Sequence, residues 1–224
     1  MSIGSARYDE IAEWYDATLS GDSTAARMPR ETALRLLGPA RGRLLDIGCG
    51  GGSHTAAFAA AGWEPVGVDV SQAQLELARK RGCEVVLGGA ESLEFEDASF
   101  DAAVSLWTHT DIDDWAAALA EARRVVRRGG HFVYLGVHPC FVGPHALYLV
   151  AHGVPQLHAG YYRRGGRHEA GPGISPTGLR GRVGAIHIPL AEFLQSFLDA
   201  GWVFDHVEEP GARDYPVAIA VRCR

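Results

Sequence analysis

The 224-residue sequence predicts an α/β fold, a doubly wound and mostly parallel sheet, on three observations. Strand-like apolar runs alternate with helix-like segments from Arg43 to Val137. A glycine cluster, "LDIGCGGG", directly follows the first of those runs. After a long irregular stretch the chain resumes with a helix and two further strand-like runs. Such alternation needs crossover connections, hence parallel strands covered on both faces, and the final pair of runs reads as a hairpin at the sheet's edge.

Each element has its local reason. "RLLDIG" is a short apolar run that stops at a glycine, and "HTAAFAAAG" has helical composition ending at Gly62, a plausible C-cap. "EPVGVDVS" reads as a second strand; "SQAQLELARKRG" reads as a second helix, with Ser71 as N-cap and Gly82 as terminator. "CEVVLGG" is a third strand and "SFDAAVSLW" a fourth. "DIDDWAAALAEARRVVRRGG" follows as a helix with acids in its first turn and arginines in its last, the polarity that the helix dipole favours. "HFVYLGV" is the fifth strand, "IPLAEFLQSFLDAGWVFDHVEE" a helix and a sixth, and "YPVAIAVRCR" the last.

Composition bounds the function. A chain of this length buries one sizeable core, so a single domain over residues 1–224 is expected. The formal net charge of -6 argues against general nucleic-acid affinity, which needs a basic face. Cys49, Cys83, Cys140 and Cys223 are far apart and form no CxxC pair, which points to reduced thiols in a cytoplasmic protein. The opening "MSIGSARYDEIAEWYD" carries charges where a signal peptide needs an apolar stretch, and no apolar run is long enough to span a membrane.

Ligands of such sheets sit beyond the carboxyl ends of the strands, where the glycine cluster lies. The helix after it presents unpaired amides, suited to a phosphate or to any group that must approach the main chain closely. A dinucleotide fingerprint fits poorly, because the frame Gly48, Gly50 meets Ser53 where a third glycine belongs. No GxxxxGK[ST] phosphate loop is present either. What fits is an acid followed by glycines at every second position: Asp46, Gly48, Gly50, Gly52.

With "VGVDVS", "GGAESLEFEDASFDAAVS" and "EARRVVRRGGHFVYLGV" following in order, residues from about Ile11 to Val137 resemble a class I S-adenosylmethionine-dependent methyltransferase of the small-molecule "type 11" kind. The resemblance implies a Rossmann-like seven-stranded sheet with an antiparallel last strand, and S-adenosyl-L-methionine as cofactor. It implies that the loop of Gly48, Cys49 and Gly50 wraps the methionine portion, with Asp46 near the cationic end. Asp69, followed by Val70, would hold both ribose hydroxyls, since a carboxylate can accept from two donors. Gly89, Ala90 and Glu91 would meet the adenine; Gly89 stands where the family often has aspartate, so the contact falls to the Ala90 amide and the Glu91 carboxylate. Leu106, at the end of strand four, and Tyr15 would complete the cofactor site. A dehydrogenase-like nucleotide fold is the structural rival.

The chain then divides into an N-terminal helical lid (1–40), a cofactor-binding core (41–137), a segment (138–186) read as a substrate cap because long irregular inserts in compact domains are usually functional, and a C-terminal helix and hairpin (187–224). In the lid, "YDEIAEWYDATL" places Tyr8 and Tyr15 seven residues apart, on one helical face. The cap is rich in histidine, tyrosine, glycine and proline; Tyr8, His138, Tyr161 and Tyr162 are the residues expected to meet the methyl acceptor. No HxxxH pair suggests a metal, and methyl transfer requires none. His109, in "SLWTHTDIDDW" after strand four, is the candidate general base. The "NPPY" or "DPPY" signature of nucleobase methylation is absent there. The acceptor expected is thus a small aromatic or heteroaromatic metabolite, methylated on oxygen or nitrogen. The alternatives are a non-catalytic cofactor-binding or sensor protein, or a methyltransferase acting on nucleic acid or protein.

Overall fold

A computed structural model describes residues 7–19, 24–147, 156–163, 166–211 and 214–224. A 3-10 turn over Asp9–Ile11 leads into α1 (Ala12–Leu19), and α2 (Thr24–Leu37) follows. The core then alternates β1 (Arg43–Ile47), α3 (Ser53–Ala60), β2 (Glu64–Asp69), α4 (Gln72–Lys80), β3 (Glu84–Leu87), β4 (Phe100–Leu106), α5 (Trp115–Val125) and β5 (Val126–Val137). The cap contributes β6 (Ala146–Leu147), β7 (Gln156–Leu157) and α6 (Leu179–Val183); α7 (Leu190–Asp199), β8 (Phe204–Glu208) and β9 (Ala218–Cys223) close the chain.

The main sheet has seven strands in the order β3-β2-β1-β4-β5-β9-β8. Neighbours from β3 to β5 are parallel, whereas β9 runs antiparallel to both β5 and β8. Strand order reverses between β1 and β4, so the crevice for a ligand opens beyond their carboxyl ends. There the Ser105 hydroxyl donates to the Ile47 carbonyl at 2.9 Å and lies 2.6 Å from the Thr108 hydroxyl, tying the ends of the two strands together.

Strand parity sorts the core into two layers. Leu45 and Ile47 pack with Trp115, Leu119, Phe193, Phe197 and Trp202 under α5 and α7. Leu44 packs on the opposite face with Leu36, Leu37 and Phe58 from α2 and α3. In the first layer Trp115 stacks on Phe193 with ring centroids 6.0 Å apart, and the Trp202 indole donates to the Leu119 carbonyl.

The predicted caps form: Ser71 Oγ accepts from the Gln74 amide at the start of α4, and Gly62 and Gly82 take positive φ beyond their helices. The helix predicted over 111–130 is shorter. Asp114 caps it by accepting from the Ala117 amide at 2.9 Å, and it stops at Val125. Val126 already pairs with Phe100, and the register shifts between Phe100 and Ala102. Arg127 and Arg128 therefore sit on the irregular start of β5 rather than in a helix's last turn; Gly129 with positive φ and the neighbouring Gly130 suit that bulge and would weaken a helix. The cap, read as irregular, contains the β6–β7 ribbon and α6. Within the histidine-, tyrosine- and glycine-rich segment 138–186, residues 148–155 and 164–165 lie outside the described residues, His152, Arg164 and Gly165 among them.

Candidate functional site

A cavity of about 260 Å³ opens at the switch point, lined by the lid, the loops after β1, β2 and β3, and the loop after β4. From the lid come Tyr8 and Tyr15, whose rings meet edge to face at 5.2 Å. The glycine loop contributes Gly48 and Gly50, both at positive φ. A Cβ on Gly50 would meet nothing nearer than 3.7 Å, so this residue leaves its main chain open to the cavity. Gly52 is bare for another reason: a Cβ there would lie 2.8 Å from that of Ala78, so it serves the packing of the loop on α4.

Asp69 is the best-formed acid of the site. Its Oδ2 accepts from the Gly50 amide and its Oδ1 from the Ser71 amide, both at 2.9 Å, which fixes the carboxylate between β1 and α4. Burial raises its pKa, opposed by those two backbone donors. Each oxygen keeps further lone-pair capacity toward the cavity. Val70, Gly88, Ala90, Glu91 and Leu106 complete the lining on this side.

Several expected residues are elsewhere. Asp46 is 2% exposed and does not line the cavity; its Oδ2 accepts from the Thr55 hydroxyl at 2.6 Å. Strand parity explains the placement, because Asp46 shares the face of Leu44, toward α3. Burial pushes its pKa up to about 7, against the pull of Thr55. Cys49 is buried with its sulfur packed over Gly67, where a Cβ would come within 2.6 Å. Gly89 is outside the lining, which takes its neighbour Gly88 instead.

His109, the expected base, is not in the cavity wall. Its side chain is 2% exposed and turns into the aromatic layer, with Nδ1 hydrogen-bonded to the Tyr134 hydroxyl and the ring among Trp115, Tyr134 and Phe193. Burial first, then the nearby Arg180 and His187, lower its pKa to about 3. Both the burial and the lowered pKa set the imidazole apart from the cavity surface. Among the expected acceptor contacts only Tyr8 faces the cavity. His138 is buried, its Nδ1 accepting from the Cys140 amide and its Nε2 2.9 Å from Glu209. The Tyr161 hydroxyl accepts from the Leu190 amide at 2.8 Å, so this side chain anchors α7. Tyr162 is 76% exposed and rests edge-on against Tyr161.

The loop after β4 supplies what the sequence reading missed: Trp107, Thr108, Asp111, Ile112 and Asp113 line the cavity, as do Val68 and Gln74. Trp107 holds φ at 63°, which bulky side chains rarely adopt, and such strain gathers at functional turns. The cap grips this loop. Arg180 donates to Asp111 Oδ1 at 2.7 Å, and Arg167 donates to the Asp111 carbonyl at 2.8 Å and to Asp113 at 3.0 Å. A second cavity, about 460 Å³, adjoins the first through Tyr8, Val70, Asp111 and Asp113 and adds Arg7, Arg167 and Ile186. The acids in "THTDIDD" were the available signal for this loop.

Asp69, Glu91, Asp111 and Asp113 line the first cavity, and no lysine, arginine or histidine does among the described residues. Asp111 and Asp113 are paired with Arg180 and Arg167 behind the wall, so Asp69 and Glu91 are the acids that favour a ligand carrying positive charge and disfavour a pyrophosphate. Among the described residues, no group of three or more histidine, cysteine, aspartate or glutamate side chains could hold a metal, and no helix is long and apolar enough to cross a membrane.

Residues 45–134 match the family model described as a methyltransferase domain. The chain is 34% identical over 136 residues to a demethylmenaquinone methyltransferase of Clavibacter sepedonicus, covering 58% of this chain and 56% of that one. It is 32% identical over 148 residues to an O-methyltransferase of Penicillium expansum, covering 59% and 53%. The match thus spans little more than half the length of these curated relatives. A crystal structure of an S-adenosylmethionine-dependent methyltransferase from Mesorhizobium loti shares the fold, with TM-score 0.71 and 24% identity over 86% of this chain and 96% of that one.

Proposed function

We infer, from a chain whose residues 45–134 belong to the methyltransferase-domain family, that this protein transfers a methyl group from S-adenosyl-L-methionine to a small-molecule acceptor. One observation carries the reading: the acid-lined cavity at the switch point, with Asp69 poised by two backbone amides to accept from two hydroxyls. When bound, the cofactor supplies an electrophilic methyl on a sulfonium.

In this reading Asp69 binds the ribose, and Gly48 and Gly50 admit the methionine portion to the main chain. Ala90 and Glu91 meet the adenine, with Val70 and Leu106 as apolar walls and Tyr15 as lid. Asp46 and Cys49 act from beneath, shaping the loop. Tyr8, Trp107 and Asp111 border the space left for the acceptor. Catalysis rests on positioning, since holding two reactants in line removes most of the entropic barrier of a displacement. The neighbouring cavity, with Tyr8 and Ile186 in its wall, supports an aromatic or heteroaromatic acceptor methylated on oxygen or nitrogen. A demethylmenaquinone methyltransferase and an O-methyltransferase among the relatives support the same class. The four free cysteines fit a cytoplasmic setting.

Calorimetry with S-adenosylhomocysteine, S-adenosylmethionine and NAD tests the cofactor. Binding of the first two alone is expected, and binding of NAD alone would overturn the reading. Transfer of labelled methyl to a panel of phenols, quinols and heteroaromatic amines tests the acceptor. Cofactor binding with no transfer to any of them would favour a sensor.

A further inference from the structure

Behind the wall of the second cavity lies a pair of buried imidazoles. Gly166, Arg167 and Ile186 line that cavity, and an antiparallel bridge between His168 and Ala185 joins the two segments that carry them. His187 follows Ile186 directly, is 9% exposed, and faces His145, 4% exposed, with ring centroids 4.6 Å apart.

Backbone carbonyls fix both tautomers. His145 Nε2 lies 3.2 Å from the Cys140 carbonyl and His187 Nε2 lies 2.8 Å from the Tyr161 carbonyl, so each Nε2 carries a proton and donates it. Each Nδ1 is then a bare lone pair. The two converge above Gly143, where a Cβ would lie 3.2 Å from one and 3.3 Å from the other. His145 Nδ1 is enclosed without a hydrogen-bond partner.

The titratable groups around the pair are the Cys140 thiol on the loop of His145, Tyr161 and Arg163 on the segment after β7, His168 beyond them, and His109 on the loop after β4. None of these is a carboxylate. His138, in the same cap, differs in having Glu209 at 2.9 Å to receive its charge. Burial lowers the pKa of both His145 and His187, and the neighbouring imidazoles add to the fall at His187, which comes to about 4. One proton can lie between two facing lone pairs. A second sets like charges against each other with little water to screen them.

We propose that His145 and His187 form a proton-sensitive clasp, which holds the cap wall of the second cavity shut while both are neutral and releases it when both are charged. Because the folded pKa values lie below the ordinary value of about 6.5, the clasp is complete above that pH and is lost as pH falls toward 4. That the cavity serves the acceptor rests on the methyltransferase reading above. The clasp itself does not, and its test needs no ligand.

Cys140, whose carbonyl the clasp holds, reports the opening. The whole chain is labelled with 4,4′-dithiodipyridine, a thiol reagent usable in acid, and mass spectrometry reads the rate at Cys140 relative to Cys83, which is also half-buried. That ratio should stay level down to about pH 6.5 and rise about tenfold or more by about pH 5, since each proton taken up on opening adds up to tenfold per pH unit. His145→Gln and His187→Gln keep an amide donor for the backbone carbonyl and cannot titrate, so each should flatten the rise, whereas His206→Gln on β8 should not. A level ratio in the parent would overturn the proposal, as would a rise undiminished in both glutamine variants. So would equal acceleration at the buried Cys49 and Cys223, which would mean that the whole fold opens rather than the cap. The parent's own four rates therefore decide the matter even if a glutamine variant fails to fold.

Discussion

At the scale of single residues, the direction of a side chain decides its role more than its position in a motif. Asp46, next to last in β1, and Asp69, last in β2, both lie beside the glycine loop, yet one carboxylate turns toward α3 and Thr55 while the other faces the cavity. Asp69→Ala should therefore weaken S-adenosylhomocysteine about tenfold or more, through lost charge-assisted contacts and a looser Gly50 amide, as calorimetry would read. His109 carries the opposite lesson. Its place after β4 made it the natural base, but the turn at Trp107 leaves Trp107 and Thr108 in the cavity wall and sets the imidazole against Tyr134. With an acceptor found by the labelled-methyl screen, His109→Gln should keep most of its turnover and the same pH–rate profile; a loss of about 10² or more with intact cofactor affinity would restore the base.

At the scale of elements, what periodicity and capping encode was readable. The strands and the caps at Ser71, Gly62 and Gly82 follow from apolar runs and turn residues, whereas Gly48, Gly50, Ala90, Glu91 and Leu106, now in the cavity wall, were expected there from the family resemblance. The cap was not readable, because its order comes from pairings distant in sequence: Arg180 with Asp111, Arg167 with Asp113, Tyr161 with the start of α7. Tyr161 was expected to touch the acceptor and instead holds an element. Tyr161→Phe should cost about 1 kcal/mol of stability by denaturant titration, the worth of one hydrogen bond, while cofactor affinity stays unchanged. A fall in that affinity would return Tyr161 to the ligand.

At the scale of the whole molecule, Asp46 and His109 are two of the buried titratable groups that put opposing slopes on stability against pH, as Asp69 does on the one side and His54 and His187 on the other. Asp46 has its folded pKa raised to about 7 by burial, so the folded state holds a proton that the unfolded chain releases near pH 4. Its contribution is full below about pH 4 and is lost as pH rises through about 7. His109 has its folded pKa lowered to about 3, so the unfolded chain binds the proton first. Its contribution is full above about pH 6.5 and is lost as pH falls toward 3. Between about pH 4 and 6.5 the slopes of Asp46 and His109 oppose each other, and above that, of these two, only the Asp46 decline remains. Melting temperatures of two variants separate them. Asp46→Asn keeps an acceptor for the Thr55 hydroxyl but has no proton to lose, so its stability should rise relative to the parent's between pH 5 and about 7.5. His109→Gln should lose less stability than the parent on acidification from pH 6.5 to 4, because its unfolded chain no longer gains that proton. If the difference between Asp46→Asn and the parent stayed constant between pH 5 and about 7.5, the buried carboxyl would have to titrate in its ordinary range, and the hydrogen bond from Thr55 would be holding it charged.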